Sequence, residues 1–342
     1  MRAAIMRNKT MVVDQVPDPA PGPGQVLVET IACGICGSDL HALLHADKLI
    51  DSAKASGAPF VMDLERDIVM GHEFSARVTE LGAGVTNVKA GDVVVSMPVI
   101  ISAEGFAAIG YSNAFPGGYA ERMLLTAGLC VPVPEGLDPR HAALTEPMAV
   151  GLHAVAKSGI APGDSALVLG CGPVGLAVIA ALKIAGIEPI VATDFSEMRR
   201  GLAKCLGAHE VVNPRQEPAI EAWQRAAGTR PVVIFEAVGV PGMLDRAMRD
   251  APRSARILVV GVCMETDSIW PIVGINKELS IQFVLGYTPE EFNRTLGYIA
   301  SGAIDVAPLI TGEVGIAGVP EAFRTLASPD AHAKILVEPA LG

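Results

Sequence analysis

Ser165-Ala166-Leu167-Val168-Leu169-Gly170-Cys171-Gly172-Pro173-Val174-Gly175 decides the fold of this chain. An apolar run of strand length ends in a glycine turn, and the turn opens onto Leu176–Ala185, which reads as a helix. Glycines at such a junction bring backbone N–H groups close to a pyrophosphate at a helix N-terminus. A lone G-x-G-x-x-G is weak evidence, and a glycine turn with no ligand is the plainer reading. Here the turn lies between strand and helix, and Asp194 follows 24 residues after Gly170, at the end of the next apolar run, Pro189–Asp194. Together these predict a dinucleotide site made by Gly170, Gly172, Pro173, Val174 and Gly175, with Asp194 accepting from the adenosine ribose hydroxyls. Asp194 would repel a 2′-phosphate, so NAD is expected over NADP. Arg199 and Arg200 lie about a turn further on; either can reach a phosphate, and surface solvation accounts for at least one. Cys171 reads as a small apolar filler.

Working outward, the alternation continues. Glu197–Leu206 reads as a helix, Val211-Val212 begins a strand, and Val232–Glu236 and Ile257–Val260 are further apolar runs. Strands alternating with helices imply right-handed crossovers and a parallel sheet covered on both faces. Ser165 to Leu182 carries no charge and approaches membrane-spanning length. Its central glycines and Pro173 make it a buried strand, turn and helix instead.

Before residue 150 the rhythm differs. Pro17, Pro19, Pro21, Gly22, Pro23 and Gly24 punctuate the start; Gln25–Thr30 and Asp92–Val95 read as short strands, with turns at Gly82–Val85 and Ala90–Asp92. This predicts a mostly β domain. Within it lie Cys36-Gly37-Ser38-Asp39-Leu40-His41 and Gly71-His72-Glu73. A thiolate, an imidazole and a carboxylate are the donors a zinc ion takes, with an open position left for substrate. Cys36 and His72 are the natural donors and Glu73 adjoins them. Cys33 and Cys36 form a C-x-x-C, but no second such pair completes a four-cysteine site, so Cys33 reads as a packed thiol. His41 and His45 share a helical face; a surface or capping role suits His45. Residues 45–65 read as an insert shaping the pocket rim.

The chain has 342 residues, half of them hydrophobic, enough for two domains with ample cores. Its net charge of -11 gives nothing basic to grip nucleic acid or an anionic membrane. Six cysteines scattered through a long chain, and no apolar run of signal-peptide length at the start, point to a reducing compartment, the cytoplasm.

A zinc motif and a dinucleotide motif in one chain resemble the zinc-dependent medium-chain dehydrogenase/reductase family, which includes alcohol, polyol and threonine dehydrogenases. The resemblance spans nearly the whole chain. It implies an α/β architecture: a chaperonin-10-like β-barrel catalytic domain at 1–149, a Rossmann doubly wound parallel-sheet domain at 150–288, and a C-terminal return at 289–342 completing the first domain. It implies that Glu73 approaches or ligates the metal. It also makes Glu146, in Thr145-Glu146-Pro147, a metal-side carboxylate where archetypal alcohol dehydrogenases have cysteine. Val262 and Leu285 match strand ends lining the nicotinamide pocket, and Lys334 matches a basic position touching the cofactor phosphates. Many relatives bind a second zinc through four clustered cysteines, but residues 92–129 hold none, so one catalytic zinc per chain is expected. The family favours homodimers and homotetramers.

The implied reaction passes a hydride between a secondary alcohol or polyol and NAD, giving a ketone or aldehyde. Zinc, as a Lewis acid, lowers the pKa of a coordinated hydroxyl. Ser38 is placed to take the proton and His41 to pass it to solvent by way of the cofactor ribose. Ser38 as a simple N-cap is the plainer alternative. Two other readings stand beside this one, an NADPH-dependent carbonyl or aldehyde reductase and a non-enzymatic NAD-binding protein. The set Cys36, Ser38, His41, His72 and Glu146 argues against the last, since a mere binder needs no proton relay.

Overall fold

The computed structural model describes residues 1–57, 62–102, 105–328 and 330–342. By internal contact the chain divides into two units, one of Met1–Glu146, Leu296–Ser301 and Ile310–Gly342, the other of Pro147–Thr295 and Gly302–Leu309. The expected switch points were 149/150 and 288/289. The second differs most, because the helix Pro289–Ala300 is continuous and its beginning is tied to the second unit. There Glu291 Oε2 meets His153 Nδ1 of the helix Thr145–Ser158 at 2.8 Å.

The second unit holds one six-stranded parallel sheet. Its spatial order is Glu210–Val212, Ile190–Thr193, Ser165–Leu169, Val232–Glu236, Arg256–Val259, Ser280–Phe283. The third, second and first strands in sequence thus precede the fourth, fifth and sixth, the doubly wound order of a dinucleotide fold. The central strands Ser165–Leu169 and Val232–Glu236 are buried along their whole length, as expected for a sheet covered on both faces. Leu167, Val191, Ile234 and Ile257 pack there with Trp223, Ala247 and Met248 from flanking helices. The sheet edge Ser280–Phe283 is largely exposed.

The first unit is mostly β. Strands run Cys130–Pro132, Val93–Ser96, Glu73–Leu81, Gln25–Gly34, Lys334–Val337, Ile310–Val314, and Arg122–Thr126 also pairs with Gln25–Gly34. A smaller sheet joins Thr10–Gln15, Arg2–Arg7 and Ile68–Val69. Gln25–Gly34 and Glu73–Leu81 each carry one extra residue against the other, Ile31 and Thr79, which bends the pair and sharpens its twist. Their shared end, Gly34 opposite Glu73, delivers the ligand loop. The tail strand Lys334–Val337 pairs antiparallel with that same end, Leu336 opposite Gly34.

The expected insert at 45–65 is in large part a helix, Gly37–Ser56, with non-helical backbone at His45. It ends at Gly57, whose φ of 70° is the left-handed cap that stops helices. Residues 58–61 of that stretch lie outside the described ones. Ala42, Ala46 and Ala53 are buried, and Leu40, Leu43, Leu49 and Ile50 pack partly buried against the core beside them. The cysteine-free stretch after residue 92 forms the hairpin Val99–Ser102 and Gly105–Ala108.

Candidate active site

Cys36 stands at the N-cap of the helix Gly37–Ser56, and His72 and Glu73 at the start of the strand Glu73–Leu81. One ligand atom from each of Cys36, His72 and Glu73 lies within 4.8 Å of the other two, the one such cluster found among the described residues. Sulfur, nitrogen and oxygen donors at that spacing fit a single tetrahedral zinc with its fourth position open. Gly34 makes the approach feasible, for a Cβ there would come 2.1 Å from Glu73 Oε2.

Asp39 is fully buried behind the cluster and held on several sides. Its Oδ2 accepts from Tyr119 Oη at 2.6 Å and from Cys36 N at 3.2 Å. Its Oδ1 accepts from Tyr111 Oη at 3.0 Å and lies 3.3 Å from His72 Nδ1. The His72 contact meets the distance of an ion pair but not the geometry of a hydrogen bond, so Nδ1 is buried without a hydrogen-bond partner. We therefore take it as a charge contact. Burial is the largest influence and works against the Asp39 carboxylate, but the His72 contact and the Tyr119 and Cys36 donors together outweigh it, and its pKa stays below the ordinary range. Burial likewise works against an imidazolium at His72, but Asp39 and then Cys36 hold the His72 pKa well above its usual value. A divalent cation among these ligands competes with that proton.

Lys334 departs from expectation. Its ammonium is committed to groups of its own unit. Only 2% exposed, it donates through Nζ to Glu73 Oε1 at 2.8 Å, Glu73 Oε2 at 2.6 Å and Ile35 O at 3.0 Å. The tail strand that carries it is buried along its full length beside Gly34, which aims the side chain inward, at the ligand glutamate. Burial, the largest influence, pulls its pKa down, but the charges of Glu73, Cys36 and Glu146 and the hydrogen bonds to Glu73 together raise it, so the ammonium keeps its proton. Glu146 is not brought into the ligand triple; its charge bears on Lys334 instead. Cys33 is a packed thiol, pushed far up by burial and then by Asp39 and Glu73. Ser38 and His41 occupy the first turns of the helix that Cys36 caps, three residues apart and on one face. Ser38 Oγ is 2.9 Å from Tyr111 Oη.

In the second unit the turn has the predicted form. Gly170 has φ of 92°, and Gly175 packs so closely that a Cβ would come 2.0 Å from Gly170 O. At Gly172 a Cβ would meet only Arg199, at 3.8 Å, so the mouth of the turn is open above the N-terminus of the helix Pro173–Ile184. An open cradle of N–H groups at a twelve-residue helix suits a pyrophosphate. Asp194 accepts from Cys171 N through Oδ2 and from Ser196 N through Oδ1, both at 2.8 Å. Each carboxylate oxygen keeps a lone pair for a ribose hydroxyl. Arg200 is committed to the carbonyls of Asp194 and Phe195. Arg199 Nε is buried with no hydrogen-bond partner beside Gly172. Val262 and Leu285 are exposed, at 44% and 78%. Burial pushes the Cys171 thiol far up, consistent with a filler.

Three features escaped the sequence. Tyr111 and Tyr119 meet Asp39 from loops without ligand chemistry; only the glycines around them, Gly110, Gly117 and Gly118, hint at close packing. Glu236, 2% exposed, accepts from Val238 N at 2.7 Å and Gly239 N at 2.9 Å and so fixes a loop at the ends of the strands. Its place at the end of a buried strand was the available signal.

Residues 22–135 match the alcohol dehydrogenase GroES-like domain and residues 173–301 the zinc-binding dehydrogenase domain. The chain is 33% identical to (R,R)-butanediol dehydrogenase of Bacillus subtilis over 99% of this chain and all of that one. It is 28% identical to sorbitol dehydrogenase of the same organism, covering 99% and 97% of the two chains. The crystal structure of a putative zinc-binding dehydrogenase from Sinorhizobium meliloti, bound to NADP, superposes with a TM-score of 0.83 at 27% identity, covering 99% of each chain. The chain belongs to the zinc-dependent medium-chain dehydrogenase/reductase family. It is an oxidoreductase of the alcohol dehydrogenase class, built on zinc and a nicotinamide cofactor. Among the described residues no helix is long and apolar enough to cross a membrane.

Proposed function

We propose that this enzyme oxidises a secondary hydroxyl of a small diol or polyol with NAD, one zinc per chain being held by Cys36, His72 and Glu73. The donor triple carries the reading, and the butanediol and sorbitol dehydrogenases among its relatives supply the substrate class. Zinc supplies a Lewis acid that lowers the pKa of a substrate hydroxyl by several units. Ser38 accepts the hydroxyl proton and His41, one turn along the same helix face, passes it towards solvent. Glu146 adds negative charge beside Lys334. Gly170, Gly172, Pro173, Val174 and Gly175 cradle the pyrophosphate, Asp194 takes the ribose hydroxyls, and Val262 and Leu285 line the nicotinamide side. Six free cysteines support a reducing compartment, the cytoplasm. The sheet edge Ser280–Phe283, with Phe283 70% exposed, supports a homodimer or homotetramer.

A reductive reading with NADPH rests on the buried, unpartnered Arg199 Nε beside the turn and on the NADP bound by the S. meliloti relative. One experiment separates the two. Zinc-loaded protein is assayed on a panel of alcohols, diols and polyols with NAD and with NADP. NAD should give the higher kcat/KM on a vicinal diol or polyol. Chelation by dipicolinate should abolish that turnover and leave NADH fluorescence binding unchanged. Equal or better catalysis with NADP overturns the cofactor choice, and turnover that survives zinc removal overturns the metal's role.

A further inference from the structure

The proton relay proposed above begins at Ser38, and the structure gives Ser38 a partner the relay does not name. Tyr111 is 8% exposed, and its Oη lies 2.9 Å from Ser38 Oγ and 3.0 Å from Asp39 Oδ1. A phenol has one hydroxyl proton. Tyr111 Oη donates it to Asp39 Oδ1, which it faces at 3.0 Å. The Ser38–Tyr111 bond then has one possible sense: Ser38 donates and Tyr111 accepts.

We propose that Tyr111 is a positioning residue for Ser38, holding the serine proton in the resting enzyme so that the lone pairs of Ser38 Oγ are left to accept the substrate's hydroxyl proton. The inference rests on the dehydrogenase reading. In turnover Ser38 Oγ gains the substrate's hydroxyl proton on a free lone pair as the Ser38 hydroxyl breaks its hydrogen bond to Tyr111 and turns its own proton towards His41, while the Tyr111 proton stays on Tyr111. The same carboxylate bears on the ligands, through Cys36 N at 3.2 Å and His72 Nδ1 at 3.3 Å. Orientation of the proton acceptor and of two metal ligands is therefore referred to a single buried group.

The loop is built for this placement. Gly110 has φ of 86° and brings its backbone against Gly71, next to His72, where a Cβ would come 3.1 Å from Gly71 N and O. The Tyr111 ring then lies beside the His72 imidazole, with centroids 5.4 Å apart. The cysteine-free stretch thus takes a part in the site that its composition does not announce.

Tyr111→Phe keeps the ring and removes only the hydroxyl. The expected result is full zinc content and an unchanged melting temperature. The kcat should fall by about tenfold, less than the hundredfold or more of Ser38→Ala, with little change in KM. In a Ser38→Ala background the second substitution should have no further effect, because the group being positioned is gone; a merely structural tyrosine would lower both backgrounds alike. Crystal structures of the zinc-loaded wild type and Tyr111→Phe supply a measurement independent of turnover, in which Ser38 Oγ should move from its wild-type position only in the variant. Wild-type kcat with an unmoved Ser38, or losses that multiply in the double variant, would overturn the inference. If the wild-type protein oxidises no alcohol while Ser38 is freed in the variant, the dehydrogenase reading fails and the positioning stands.

Discussion

Every part of the glycine turn comes from one run of chain, Ser165 to Arg200, whereas the metal cluster gathers Cys36, His72, Glu73, Tyr111, Tyr119 and Lys334 from five separate segments. The turn is held by backbone, with Gly175 against Gly170 and Asp194 on two N–H groups. The cluster is held by charge and hydroxyl groups in a buried setting, where each partner's removal strands another. A site made of backbone tolerates side-chain change and fails by crowding. A site made of buried polar side chains fails by losing a partner.

The largest effect should come from Lys334→Met. It leaves the buried Glu73 carboxyl group without its main cation, a loss on the order of 3–5 kcal/mol, read as a fall in the melting temperature of metal-free protein. Zinc should recover part of it, since a cation again faces the carboxylate. A loss no greater than that of an exposed lysine would mean that Glu73 is supported otherwise. Next comes a pair in the turn. Gly175→Ala drives a Cβ into the Gly170 carbonyl and should destabilise the protein by about 1–3 kcal/mol. Gly172→Ala should leave the melting temperature unchanged but weaken NADH by about tenfold, near 1.4 kcal/mol, by filling the cradle; titration calorimetry gives the affinity. If both variants lose stability alike, the turn is glycine-rich for packing alone.

The smallest effect is in acid. Asp67 and Asp138 are held below the ordinary carboxylate range, first by hydrogen bonds from Arg7 and Arg140 respectively. Their depressed folded pKa means that the unfolded chain takes up protons first as pH falls. Their stabilisation is complete above the ordinary value of about 4 and is lost below it. Each pair is partly exposed, so its share should be under about 1 kcal/mol. Asp67→Asn should therefore change the melting temperature above that pH and make no difference in stronger acid. A difference that grows as the solution is acidified would reverse the sign.

The contrast between the sites also explains what could be read in advance. Strand, turn, helix and Asp194 sit within reach of one another in sequence, so their order alone specified the parallel sheet and its turn. Cys36, His72 and Glu73 were legible because their chemistry is rare and their motifs compact. Lys334 was assigned to the wrong partner, because a single lysine carries no record of which strand its own strand will pair with. Tyr111 was invisible for a like reason. Its role depends on Gly110 closing against Gly71, an approach across the fold rather than along the chain.

Lys334 joins Glu73 from 261 residues further along the chain. A ribosome adding about 5–20 residues per second needs roughly a quarter to most of a minute to cover that distance. Throughout this interval the nascent first unit already holds its ligand glutamate but neither the ammonium that neutralises it nor the strand that pairs beside Gly34. The ordering of this metal centre therefore waits on the synthesis of the whole second unit. A ribosome stalled within the intervening unit would display an unfinished sheet edge and an uncompensated carboxylate, the very features a cell's quality-control machinery can grasp.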